Sequence, residues 1–301
     1  MNKDNKAFEV ELGQLTERIA TISKERPSHR EVLAFLKDVV TEQFKMKADI
    51  EIHPVSMDED LLRKKSAEGF PLADRGDLEL DTATAAILFG RLCEVLKQNI
   101  KARKDVEKIE EVVSSGELNL ETLFKKTAEQ GAEHAAELAE KLNIKGEILF
   151  FLAENSLRPI FETYADALKG RVDQESWWRS YCPICGSKPV MGELVGQERK
   201  RFLICSSCGY EWRFKRIQCP FCENEERRKF KYFFAENEGR TYRVETCQKC
   251  KKYIKTVDTE ELDEAFFPAV EDMGTIHLDV LAKKEGYERE VHPLGFNLED
   301  L

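Results

Sequence analysis

The sequence predicts an α+β protein: an all-α N-terminal domain, two tandem cysteine-bearing metal modules and a C-terminal helix. Three observations carry this. Apolar residues recur at helical spacing over about the first 175 positions; after Trp177 and Trp178 they alternate as in short strands; and eight of the nine cysteines form four C-x-x-C pairs inside one 69-residue window. The expected boundaries are 1–175 for the helical domain, 176–217 and 218–258 for the modules, and 259–301 for a helical segment packing back on the protein.

The chain has 301 residues, 42% hydrophobic and 35% charged, which describes a globular protein with room for two domains and excludes a disordered or fibrous one. The opening MNKDNKAFEVELGQL lacks the basic-then-apolar run of a signal peptide, and no stretch of about 18 uninterrupted apolar residues occurs, so a cytoplasmic location without membrane insertion is expected. The net charge of -10 hides an asymmetry. From Cys182 to Val257 there are 17 Lys and Arg against 9 Glu and no Asp, a balance of +8.

In the helical part, 28-SHREVLAFLKDVV-40 places Ser28 and Glu31 in capping-box relation ahead of a broad apolar face. The segment 81-DTATAAILFGRLCEVLKQNI-100 carries Ile87, Leu88, Leu92, Val95 and Leu96 at helical spacing. A third helix runs through 147-EILFFLAENSLRPIFETYADALKG-170, with Pro159 expected to kink or break it. Loops are expected at 68-EGFPLADRGDLEL-80 and 114-SSGELN-119.

In the cysteine segment, 211-EWRFKRI-217 and 240-RTYRVETC-247 alternate as strands, and the turns 196-GQERK-200 and 236-ENEG-239 join hairpin arms. Each half reads C-x-x-C, hairpin, C-x-x-C, strand, a weak internal repeat. One last amphipathic helix is expected through Val270, Met273, Ile276, Val280 and Leu281, with Glu271 and Asp272 in its first turn, Lys283 and Lys284 in its last, and Gly286 to stop it.

The cysteines call for metal. A strand-rich segment of about 75 residues buries little apolar surface, whereas structural zinc contributes roughly 10 to 16 kcal/mol in small peptides. Thiols in a reducing compartment stay reduced, which favours ligation over disulfides. The sequential grouping joins Cys182, Cys185, Cys205 and Cys208 in site 1 and Cys219, Cys222, Cys247 and Cys250 in site 2; a cross-braced grouping stays open on spacing alone. Gly186 and Gly209 follow the second cysteine of each turn in site 1, where positive φ is often required, but the matching residues in site 2 are Glu223 and Lys251. Site 2 is therefore expected to be the looser. Tetrahedral sulfur ligation suits iron and zinc alike. Two such centres with zinc carry -4, which offsets half of the segment's positive balance.

Other motifs carry less. The string 219-CPFC-222 has the spacing of a thioredoxin-type dithiol, but three companion pairs surround it. Cys93 sits on an apolar helical stretch and reads as core. His29, His53, His134, His277 and His292 share no metal-binding spacing, 225-EERRK-229 reads as a solvated face, and no phosphate-binding glycine signature or catalytic set occurs.

The series CPICGSKP, RFLICSSCGYEW, CPFC, ETCQKCKKYIK and 271-EDMGTIHLDVLAKKEGYEREVHPLGF-296 resembles the formate dehydrogenase accessory proteins of the FdhE family, in order, over roughly residues 175 to 296. The N-terminal helices fit that family in character only. The resemblance implies a helical region followed by two rubredoxin-like or zinc-ribbon modules, each binding one iron or zinc ion. It also implies a non-catalytic cytoplasmic chaperone that binds the catalytic subunit of a molybdenum- or tungsten-containing formate dehydrogenase and supports its maturation. For such a partner, Trp212, Arg213, Phe214, Lys215 and Arg216 are candidate anchors, although Trp212 and Phe214 read more naturally as packing between the modules. A zinc-ribbon nucleic-acid binder and a rubredoxin-like electron carrier are the competing classes. Overall acidity disfavours the first, and the second leaves the helical domain without a purpose.

Overall fold

In a computed structural model describing residues 3–47, 49, 50, 52, 58–98, 102–235 and 239–292, the helical periodicity of the first half becomes α1 (Lys3–Glu25), α2 (Arg30–Lys47), α3 (Glu59–Glu68), α4 (Thr82–Lys97), α5 (Arg103–Ser114), α6 (Leu120–Gln130), α7 (Ala132–Leu142) and α8 (Gly146–Leu168). Helix starts are capped where the sequence supplies acceptors: Asp81 takes the Thr84 N–H and Asn119 takes that of Thr122. The capping box at Ser28 does not form. Pro27 opens a 3-10 turn that takes up Ser28 and His29, and α2 begins after it. Of the apolar stripe on α4, Leu88, Leu92, Val95 and Leu96 are buried and Ile87 is exposed.

Helix α8 is the axle of the bundle, packing against α2, α4, α6 and α7. It runs through Pro159 without breaking. Proline removes the N–H that the Asn155 carbonyl would accept. That carbonyl instead accepts the side-chain amide of Gln43 on α2 at 3.0 Å, so a neighbouring helix makes good the missing bond.

The second half forms β1 (Pro189–Val195), β2 (Lys200–Cys205), β3 (Glu211–Arg213), β4 (Phe230–Phe233), β5 (Tyr242–Cys247) and β6 (Lys252–Asp258), followed by α9 (Pro268–Gly274), α10 (Ile276–Lys284) and β7 (Glu288–Arg289). The expected turn at 196–200 joins β1 to β2; the other expected turn, at 236–239, lies outside the described residues except for Gly239. The strands form one sheet in the order β3-β2-β1-β6-β5-β4, with β7 alongside β6. The two three-stranded ribbons thus repeat side by side, and β1 and β6 close the seam in parallel, pairing Gly192 with Thr256 and Glu193 with Val257. A β-carbon on Gly192 would lie 2.8 Å from Thr256 Oγ1, so glycine is what lets the ribbons approach.

The single C-terminal helix expected from sequence is two helices, broken at Thr275 (φ -121°, ψ 31°). Carbonyls freed there find other donors: Lys255 Nζ reaches the Asp272 carbonyl at 2.7 Å, and Thr275 Oγ1 donates to that of Glu271 at 2.7 Å. Glu271 and Asp272 are buried ion-pair partners, not solvated first-turn charges. Among the described residues, no helix is long and apolar enough to cross a membrane.

Candidate metal centres

Each C-x-x-C turn reverses the chain tightly, and the residue after its second cysteine takes the left-handed conformation: Gly186 (φ 76°), Gly209 (φ 67°), Glu223 (φ 55°) and Lys251 (φ 60°). The non-glycine residues in site 2 therefore adopt the strained geometry anticipated from sequence. Both have contacts that a glycine would lack. Glu223 accepts from Ser180 Oγ at 2.7 Å, and the Lys251 ammonium lies 5.6 Å from the Tyr287 ring centre. At Gly186 a side chain would meet Pro71 at 3.0 Å.

The turns come together in the sequential grouping. The sulfurs of Cys182, Cys185, Cys205 and Cys208 lie within 4.8 Å of one another, as do those of Cys219, Cys222, Cys247 and Cys250. The cross-braced alternative is excluded. Measured edges are 3.4, 3.6 and 3.7 Å in the first quartet and 3.7 and 3.8 Å in the second. A tetrahedron with metal–sulfur bonds of about 2.3 Å has edges of about 3.8 Å, so both quartets fit one ion each. Backbone N–H groups point at the sulfurs, as from Ile184 to Cys182 Sγ at 3.4 Å and Cys208 to Cys205 Sγ at 3.5 Å.

Electrostatics favour the same conclusion. Burial pushes the Cys182 thiol well up, while hydrogen bonds from its three companions hold Cys185 well down. Burial likewise raises Cys219, and raises Cys250 to about 11. Sulfurs so placed favour few negative charges among themselves, and a divalent cation is what lets all four ionise.

The sites differ in setting. Site 1 is buried throughout and shares the core of the helical bundle, alongside Trp177, Trp212 and Phe214. The loop after α3 bonds directly to its first turn, with Leu72 N–H donating to the Pro183 carbonyl and Ala73 N–H to that of Ile184, both at 2.8 Å. In site 2, Cys222 and Cys250 are half-buried.

Of the candidate anchors, Trp212 and Phe214 are 0% and 2% exposed, and Trp212 Nε1 donates to the Arg179 carbonyl at 3.1 Å. They pack; they present no surface. Arg213 pairs with Glu175 at 2.9 Å, Lys215 with Glu225 at 2.7 Å, and Arg216 binds the Arg199 carbonyl at 2.9 Å. Cys93 is a buried core residue whose thiol is raised to about 12 by burial. His53 lies outside the described residues; of the other histidines, His29 and His277 stack at 5.5 Å, a pairing between α2's lead-in turn and α10 that no sequence spacing signals. The buried ion pairs were also missed, since their partners lie as far as 253 residues apart.

Comparison with known proteins agrees with the cysteine pattern. Family models match residues 181–216 as the FdhE central domain and residues 217–295 as the FdhE C-terminal domain. A protein FdhE homolog of Aquifex aeolicus (strain VF5) is 26% identical over 273 residues, 90% of each chain. Protein FdhE of Escherichia coli (strain K12 / DH10B) is 32% identical over 121 residues, 39% of this chain and 38% of its own. The crystal structure of the FdhE protein from Pseudomonas aeruginosa superposes with a TM-score of 0.67 at 21% identity, covering 96% of both chains, which supports the fold over nearly the whole length.

Proposed function

Because the chain belongs to the FdhE family, we propose that it is a non-catalytic accessory protein that binds the catalytic subunit of a formate dehydrogenase and supports its assembly into active enzyme. The observation that carries this is the pair of sulfur quartets built into one sheet, the first of them continuous with the helical core. Cys182, Cys185, Cys205 and Cys208 would hold one ion, and Cys219, Cys222, Cys247 and Cys250 the other. When bound, each ion cross-links two turns and neutralises part of the thiolate charge. The chain's own contribution is a rigid, two-ribbon surface.

The ribbons divide at the link between residues 217 and 218, and the segment after 258 returns to the helical domain through α9. On this reading Arg213, Lys215 and Arg216 offer charged contacts to the client, held in position by Trp212 and Phe214 beneath them.

The test is anaerobic purification with metal analysis, followed by capture of purified formate dehydrogenase catalytic subunit. About two equivalents of iron or zinc and a stable complex are expected, with capture weakened in the Arg213→Glu, Arg216→Glu double variant at unchanged metal content. Failure of the metal-loaded protein to bind the subunit would overturn the reading; undiminished capture by the double variant would move the interface elsewhere.

A further inference from the structure

A cavity of about 300 Å³ opens on the second ribbon beside site 2. Its walls carry Arg201, Arg216, Arg227, Lys231, Arg243 and Lys252 against one carboxylate, Glu245. That carboxylate is already engaged, by Arg201 at 2.8 Å and Arg243 at 2.8 Å. Lys252 is paired outside the cavity with Glu288 and Glu290. Among the described residues, Arg227 and Lys231 meet no carboxylate, and Arg216 binds only the carbonyls of Glu198 and Arg199. Even a divalent tetrathiolate at the neighbouring wall, with its charge of -2, leaves the cavity positive.

Two of the lining residues, Arg201 and Gln218, are 4% and 8% exposed and stiffen the wall from beneath. The remaining walls are flat and apolar, from Phe221, Phe230 and Tyr232. Tyr232 is 65% exposed, and Arg243 lies 5.6 Å from its ring centre.

We propose that this cavity binds a phosphate-bearing ligand with a planar ring, of the size of a nucleoside monophosphate. Arginine forks match phosphate oxygens two at a time, an exposed tyrosine offers a stacking face to the ring, and the volume lies at the lower end of small-ligand pockets. The inference stands apart from the formate dehydrogenase reading and does not require it.

The experiment is calorimetric titration of the full-length, metal-loaded protein with AMP, CMP, GMP, UMP and inorganic phosphate in turn. At least one nucleotide should bind at least tenfold more tightly than phosphate. Arg227→Gln and Lys231→Gln, whose side chains meet no carboxylate among the described residues, should each weaken it fivefold or more; Tyr232→Ala should weaken the nucleotide and spare phosphate. No nucleotide binding at millimolar concentration, equal affinity for phosphate alone, or indifference to the Arg227 and Lys231 changes would each overturn the proposal. Binding confined to single-stranded oligonucleotides, with no mononucleotide response, would overturn it in favour of a nucleic-acid surface.

Discussion

Arg18 on α1 donates to both carboxylate oxygens of Glu271 on α9, at 2.7 and 2.9 Å, and Tyr242 of β5 donates to the same carboxylate at 2.6 Å. Both charged residues are buried, so the first helix, the sheet and the C-terminal segment meet at one ion pair.

Removing Arg18 strands the Glu271 carboxylate, and removing Glu271 leaves Arg18 with only the half-buried Glu264, at 3.1 Å. Arg18→Met or Glu271→Leu should each destabilise the metal-loaded protein by about 3 to 5 kcal/mol, while the double change Arg18→Met, Glu271→Leu should cost clearly less than the sum. Urea midpoints at constant metal content check this; strict additivity would mean that the pair is not coupled.

Site 2 should release its ion first. Two of its sulfurs are half-buried, and two left-handed residues bear β-carbons at a cost of about 1 kcal/mol each. Graded chelator with a colorimetric metal readout should give two phases, and Cys222→Ser should abolish only the faster. Gly186→Ala should harm more than Gly209→Ala, because Pro71 crowds the first position and nothing crowds the second.

Gln43 and Pro159 should be interdependent. Gln43→Leu removes the side-chain amide that donates to the Asn155 carbonyl, at roughly 1 to 3 kcal/mol. With Pro159→Ala the backbone regains its own donor, so the Gln43 change should then cost less. Thermal denaturation of all four proteins gives the coupling.

The Glu193 carboxyl is pushed up to about 8 by burial and by the neighbouring Glu211. A carboxyl raised in the folded state binds more protons there than in the unfolded chain. Its contribution is complete below the ordinary carboxylate range and is lost as pH rises towards 8. Glu193→Gln should therefore remove much of a stability decline between about pH 5 and 8, gaining roughly 3 kcal/mol at the alkaline end. Denaturant midpoints across that window decide it.

What the sequence announced and what it concealed divide by range. Cys182 to Cys250 were legible because a C-x-x-C turn is local and brings two sulfurs together by itself. The left-handed backbone at Glu223 and Lys251 followed from the same turn geometry. Pro159 misled, because the donor that rescues α8 comes from Gln43, 112 residues away. The break at Thr275 was invisible for a similar reason: apolar spacing continues across it, and the donor that stabilises it is Lys255 on β6. The fusion of two ribbons into one sheet depends on β1 pairing with β6, a parallel contact between segments some 64 residues apart that no local spacing signals. Trp212 and Phe214 read as either surface or core, and burial beside site 1 decides for core.

The two hydrogen bonds from Leu72 and Ala73 to the first cysteine turn have a temporal meaning. During translation the bundle emerges from the ribosome before any ligand sulfur of site 1, yet its apolar interior is finished only by Trp177, Trp212 and that quartet. If site 1 closes on an ion, a nascent chain would keep an open flank until then, and scarcity of that ion should be felt as misfolding of helices that never touch it.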